Sequence, residues 1–156
     1  MTDDKFADPI EARKKAMDYL ARREHAHGEL LNKLTGFGFD AEVSSDAIAQ
    51  LIDDGLQSDQ RFVEAFVRSR INQRKGPARI RADLLEKRVD DSIIAEALQD
   101  VAQDWYDLAR EVHKKKFGSE RAADFKEKAR QMRFLQSRGF EPDHIQAAVS
   151  ADDDKA

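Results

Sequence analysis

The 156-residue chain has no cysteine, one tryptophan, three prolines, seven glycines and no long apolar run. Lack of cysteine excludes a disulfide scaffold, a thiolate zinc site and a cysteine nucleophile. The apolar stretches fall short of the roughly 18 residues a membrane span needs. The opening MTDDKFADPIEARKK is charged throughout, unlike a signal peptide. The expectation is a soluble, cytoplasmic protein with no membrane partner. Ile, Leu, Val and Phe number 35 of 156, little above the composition of chains that stay disordered. With a net charge of only −4, the chain is expected to fold around thin cores.

What is abundant is alanine, with 22 residues. Alanine loses no rotamer freedom in a helix, whereas glycine and proline are the costly interior residues. Pro9, Pro77 and Pro142 each open a helix-patterned run, the position where a missing N–H costs nothing. No convincing strand is present, since Phe37-Gly38-Phe39 is short and glycine-rich. The fold class is all-α.

Apolar spacing predicts nine helices. They run near 9–24 (Met17, Leu20, Ala21), 27–35 (Leu30, Leu31, Leu34) and 41–55 (Val43, Ala47, Ile48, Leu51, Ile52). The next three lie near 59–74 (Phe62, Val63, Phe66, Val67, Ile71), from Pro77 (Ile80, Leu84, Leu85) and near 90–100 (Ile93, Ile94, Ala97, Leu98). The last are 103–117 (Trp105, Leu108, Ala109, Val112), 121–138 (Phe125, Ala129, Met132, Leu135) and 141–150 (Ile145, Ala148, Val149). These form three similar triplets. Val89, Ile94, Ala97 and Leu98 match Phe140, Ile145, Ala148 and Val149 in spacing. Phe39, Ala47 and Ile48 repeat the pattern with Ser44 in place of the isoleucine, and Leu34, Leu85 and Leu135 precede these anchors. The reading is an elongated array of three tandem three-helix repeats, 8–57, 58–101 and 102–151, with residues 1–7 and 152–156 as disordered tails.

Nothing marks a catalytic centre. His25 and His27 do not face each other on a helix, lack acidic companions for a metal, and are read as capping or solvated. Gly36-Phe37-Gly38 lacks the strand and the Lys-Ser/Thr of a phosphate loop and is read as a turn. Asp53-Asp54 and Asp152 to Asp154 are carboxylate runs without an apolar pocket, read as a solvated face and an acidic tail. No catalytic residue, metal or cofactor is expected.

Charge is segregated. Residues 61–88 hold nine basic and three acidic residues, and 110–138 hold ten and four, whereas the remaining stretches are acidic. Such blocks neutralise phosphates or dock on an acidic protein surface. Any single basic residue reads as part of a solvated helix face with i, i+4 pairs such as Arg79 with Asp83. The two clusters as wholes read as a partner surface. The phenylalanines and Trp105 are placed on apolar stripes, so no stacking platform for a single strand is expected. A helix-turn-helix reader of DNA stays open as an alternative.

The residues also resemble a family. Tyr19-Leu20-Ala21-Arg22-Arg23-Glu24-His25 with Glu29-Leu30 is similar to the opening of the bacterial RecX regulatory proteins. The middle carries a stronger likeness in Asp59, Arg61-Phe62, Ala65-Phe66-Val67, Arg68, Arg70, Lys75-Gly76-Pro77, Ile80 and Leu84. Lys115-Lys116-Phe117-Gly118 and Arg133-Phe134-Leu135 through Arg138-Gly139-Phe140 extend it, so that about residues 10–150 are covered. The chain departs from the pattern in its acidic tail and at Phe66, where tyrosine is common. The resemblance implies a negative modulator of the RecA recombinase that lies in the groove of the RecA–DNA filament. It would inhibit ATP hydrolysis, strand exchange and coprotease activity, by blocking filament extension or promoting disassembly. The contact residues expected from the basic faces are Arg68, Arg70, Arg74, Lys75, Arg79, Arg81, Lys115, Lys116, Lys126, Arg130 and Arg133. The partner is RecA on DNA, with weak non-specific DNA contact in addition. The alternative is a helical regulator acting directly on DNA. A monomer is expected, because no heptad or surplus apolar face remains once the repeats stack.

Overall fold

A computed structural model describes residues 4–150. Nine α-helices follow a 3-10 turn at Asp4–Ala7: α1 Pro9–Arg22, α2 His27–Phe37, α3 Ala41–Asp53, α4 Asp59–Asn72, α5 Pro77–Glu86, α6 Asp91–Asp100, α7 Trp105–Phe117, α8 Phe125–Ser137 and α9 Pro142–Val149. No strand occurs among the described residues. All three prolines sit at helix starts, as their fixed φ and missing donor favour. Asp8, Asp104 and Asp124 cap α1, α7 and α8, accepting from Ile10, Asp107 and Glu127 backbone N–H groups at 2.9, 3.0 and 2.8 Å. The Asp124 cap starts α8 four residues later than apolar spacing predicts. Phe125, placed by spacing on the buried stripe, consequently lies in the first turn and is 87% exposed.

The repeat is visible in the backbone. Phe39, Val89 and Phe140 N–H groups donate to Leu34, Leu84 and Leu135 carbonyls at 3.1, 3.4 and 3.2 Å, closing α2, α5 and α8 with one kind of turn. The residue before each donor, Gly38, Arg88 or Gly139, has a positive φ of 128°, 62° or 98°. Glycine adopts this conformation without a Cβ clash; Arg88 does so at a cost. The register corrects one anchor, because Leu84 is fully buried and Leu85 is 42% exposed.

The described residues divide into two compact units, 4–66 with 84–97, and 67–83 with 98–150. In the first, Ala12, Ala16, Leu30, Leu34, Phe39, Ala47, Ile48 and Leu51 form the core. Met17 and Ile52, expected inside, are 43% and 44% exposed. The inward face of α1 is Ala12 and Ala16, whose small side chains permit close helix approach. Phe6 packs against this core, with its ring edge-on to Phe39 at 5.4 Å. The expected disordered stretch 1–7 is therefore ordered from residue 4, because Phe6 has an apolar site to fill. Residues 1–3 and the 152–156 tail, with Asp152 to Asp154, lie outside the described residues.

Polar ties hold this unit's connections. His25, read from sequence as capping or solvated, is 1% exposed. Its Nδ1 meets the Arg23 carbonyl at 3.0 Å and its Nε2 accepts from Lys33 at 2.9 Å. Burial, with Arg23 and Lys33 nearby, lowers its pKa against the contrary pull of the Arg23 carbonyl and Glu29. Asp59 accepts from the His27 N–H at 2.8 Å and from Gln57 at 3.0 Å, while Gln57 also donates to the His25 carbonyl. Glu29 receives Arg23 at 2.8 Å and Lys87 at 3.3 Å. Its burial alone would raise its pKa, but these two cations hold it down to about 2. Of the family-like residues, Arg23, His25, Glu29 and Asp59 thus tie the connections of this unit.

In the second unit Leu108, Ala109, Val112, Leu135, Phe140, Ile145 and Ala148 form the core, with Ile71 and Trp105 at its edge. Two loops meet there with no room for a side chain. Gly76 N–H donates to the Arg138 carbonyl at 2.8 Å and Ala78 N–H to the Gly139 carbonyl at 2.9 Å. A Cβ on Gly76 would overlap the Gly139 backbone, and one on Gly139 would overlap Arg79. Among the described residues no helix is long and apolar enough to cross a membrane.

Candidate basic cleft

Four segments of the second unit bring positive charge together. The last turn of α7 carries Lys114, Lys115 and Lys116, favourable at a helix C-terminus. The end of α4 turns at Arg74, held at φ 65°. The Gly76–Gly139 contact then sets the start of α5 beside the end of α8, so that Lys75 feels Arg138, Arg79 and Arg70. Loss of hydration first, then the repulsion of these cations, lowers the Lys75 pKa against the opposing charge of Asp83. Like charges are therefore held near each other by a backbone contact that tolerates only glycine.

Beside this junction is a cleft of about 410 Å³ lined by Gln73, Arg74, Glu111, Val112, Lys115, Lys116, Phe134 and Arg138. Four cations and one carboxylate surround an apolar floor. Arg74 pairs with Glu111 at 2.9 Å, and both are about half exposed, so the pair adds little stability. Phe134 is the hub. Lys116 lies 5.4 Å and Arg138 5.3 Å from its ring centre, and Phe117 meets it edge-on at 5.4 Å. Arg130 covers the Phe117 ring at 5.3 Å. Cations over aromatic faces are attracted by the ring quadrupole. Two of the phenylalanines placed by spacing on apolar stripes thus also meet cations. Phe117 and Phe134 reach the ends of their apolar stripes, where the neighbouring helix supplies lysine and arginine.

Of the eleven residues singled out from sequence, Arg74, Lys115 and Lys116 line the cleft. Lys75, Arg70 and Arg79 belong to the adjoining junction. Arg79 reaches Asp83 at 3.5 Å, as its i, i+4 spacing suggests, and the Ser137 carbonyl at 3.4 Å. Arg130 is clasped by both oxygens of Glu127, at 2.9 and 2.7 Å, which depresses the Glu127 pKa to about 2. Arg68, Arg81, Lys126 and Arg133 are exposed and fall outside the lining. Sequence reasoning missed Arg138, Phe134 and Glu111. Arg138 was present in the family-like Arg138-Gly139-Phe140 stretch, but only the fold places it opposite α4.

The arrangement offers N–H donors of the kind that make charge-assisted hydrogen bonds to acidic or phosphorylated groups. No group of three or more potential metal-ligating side chains comes together among the described residues.

Comparison with known proteins agrees over most of the chain. Family descriptions of the first, second and third three-helix domains of RecX match residues 12–51, 58–98 and 102–149. The regulatory protein RecX of Halorhodospira halophila is 42% identical over 89% of this chain and 86% of its own length. That of Pseudomonas entomophila is 39% identical over 93% and 94%. A crystal structure of RecX from Lactobacillus salivarius superposes with a TM-score of 0.77 at 23% identity, covering 96% of this chain and 97% of the other, a likeness of fold. Three three-helix domains in the family's order, matched from residue 12 to 149, place this chain in the RecX family of regulatory proteins.

Proposed function

We propose that this chain is a negative modulator of the RecA recombinase, acting on the RecA–DNA filament through its basic surfaces. The observation that carries the reading is the cleft at Arg74, Lys115, Lys116 and Arg138, a concentration of positive charge on an apolar floor. Family membership supports a regulatory role, and the cleft supplies the means of docking on acidic protein surface in the filament groove. Lys75, Arg70 and Arg79 extend the contact around the junction. Arg68, Arg81, Lys126, Arg130 and Arg133 form its wider margin, with DNA phosphate as a secondary contact. A ligand shifts an assembly only by binding its states unequally. The chain therefore inhibits ATP hydrolysis, strand exchange and coprotease activity by favouring filament states that extend poorly or disassemble.

The test is DNA-dependent ATP hydrolysis by RecA, titrated with this protein, beside a binding assay on naked DNA. Wild type inhibits, and Arg74→Glu with Lys115→Glu shifts the inhibitory concentration at least about tenfold, some 1.4 kcal/mol, with helicity retained. Undiminished inhibition by the folded double variant removes the cleft from the mechanism. Sequence-dependent DNA binding without RecA, and no effect on its ATPase, supports the alternative of a regulator acting directly on DNA.

A further inference from the structure

The chain makes one joint twice. On the turn after α5 rests the start of α2: a Cβ on Gly28 would lie 3.3 Å from the Lys87 carbonyl oxygen and 3.5 Å from Arg88 Cβ. Glu29 adds its bond to Lys87. On the turn after α8 rests the start of α5, through the Gly76 and Ala78 backbone bonds and the reach of Arg79 to Ser137. Counted back from Leu34 and Leu84, Gly28 and Ala78 hold the same position in their helices, as do Glu29 and Arg79.

Among the described residues no helix triplet lies ahead of the first turn of this series, at Gly38. Phe6 takes the place. Its ring lies 2.9 Å from where a Gly38 Cβ would be, and its carbonyl accepts from the Asp40 N–H at 3.0 Å. The same backbone position, 38, 88 or 139, is thus met by Phe6, by α2 or by α5. At the other end of the series, α8 presents Ala129 and Arg130 where α2 has Gly28-Glu29 and α5 has Ala78-Arg79. Among the described residues no fourth such turn exists to cover that face. Lys126, Arg130 and Arg133 are exposed on α8, and Asp40 and Glu42 are exposed beside the Gly38 turn.

We propose that the Asp4–Ala7 turn is a plug, and that the occupant it excludes from the Gly38 turn is the α8 face of a second copy of this chain. A joint of this kind is head-to-tail, and would propagate instead of closing as a two-fold dimer does. Lys15 and Lys5 lie over the Phe37 ring on one side of the turn, so the attraction for the basic α8 comes from Asp40 and Glu42 on its other side, and removing the plug exposes a surface the chain itself is built to fill. The plug also explains why an N-terminal phenylalanine in a charged stretch folds back onto α2.

Sedimentation of the full chain over a concentration series tests this. Wild type runs as a single chain throughout. Phe6→Asp, with native helicity by circular dichroism, gains mass with concentration to at least about twice the single-chain value, as open association requires. Adding Arg130→Glu returns it to one chain. The proposal is overturned if folded Phe6→Asp stays single at every concentration, if wild type associates equally, or if Phe6→Asp with Arg130→Glu still associates. Should Phe6→Asp lose helicity, Phe6→Ala is held to the same outcomes.

Discussion

The two units use the same residue types to opposite effect. In the first, acids and bases tie connections shut: Arg23 and Lys87 on Glu29, Arg61 on Glu24, Arg13 on Asp54. In the second, Arg74, Lys115, Lys116 and Arg138 face a common cleft, with Glu111 as the one acid lining it among the described residues. Net charge per segment points to the second unit, but what separates a tie from a candidate docking surface is the number of cations for each carboxylate within reach. Charge held by a carboxylate as buried as Glu29 has little attraction left for a partner, whereas an exposed pair such as Arg130 with Glu127 is weak and opens readily.

The sharpest way to break the comparison is at the glycine junction that assembles the second unit's charges. Gly76→Val places its side chain against the Gly139 backbone. Overpacking of this kind costs about 3 kcal/mol; thermal unfolding should show the loss, and under the proposed function inhibition of RecA should fall with it. In the first unit, Glu29→Gln leaves Arg23 and Lys87 facing a neutral group. A lost hydrogen bond to a charged group costs about 1.5–3 kcal/mol, measured by urea unfolding, with the cleft unaffected.

Acid separates the units by degree. Glu29 sits near 2 folded against an ordinary 4.5, so its stabilisation is complete above pH 4.5 and is lost as pH falls toward 2. His25 is lowered from 6.5 and stabilises fully above that pH, losing its contribution as pH drops below it. Both act in the first unit. Glu127 is also depressed, but its pair is exposed and screened. Hydrogen exchange across pH 7 to 3 should therefore show α2 losing protection before α8; the reverse order contradicts this account.

The smallest effect concerns Ser44, fully buried with its hydroxyl unpaired, where the other repeats carry Ile94 and Ile145. Ser44→Ala relieves that hydroxyl and should stabilise by about 1 kcal/mol, seen as a rise in Tm.

Much of the fold was legible in the chain. Helix starts at Pro9, Pro77 and Pro142 follow from proline's own geometry, and the spacing of Phe39, Val89 and Phe140 marks a repeat that the backbone bonds reproduce. The errors are instructive. Met17 and Ile52 outrank alanine in apolar character, yet Ala12 and Ala16 on α1 and Ala47 on α3 face the core because helix proximity rewards small side chains. His25 carries no mark of burial in its local sequence; its partners are the Arg23 carbonyl and Lys33. Basic blocks announced the candidate surface, but not that Arg130 is engaged by Glu127 or that Arg138 belongs to the cleft.

Local rules acting over a turn or two of helix, namely φ restriction, capping and apolar period, are written along the chain, and they determined the helices, the threefold repeat and the segregation of charge. Which cations share a cleft, which glycines touch and what Phe6 covers depend on residues dozens of positions apart. Only packing brings those together, so only the tertiary structure could decide them.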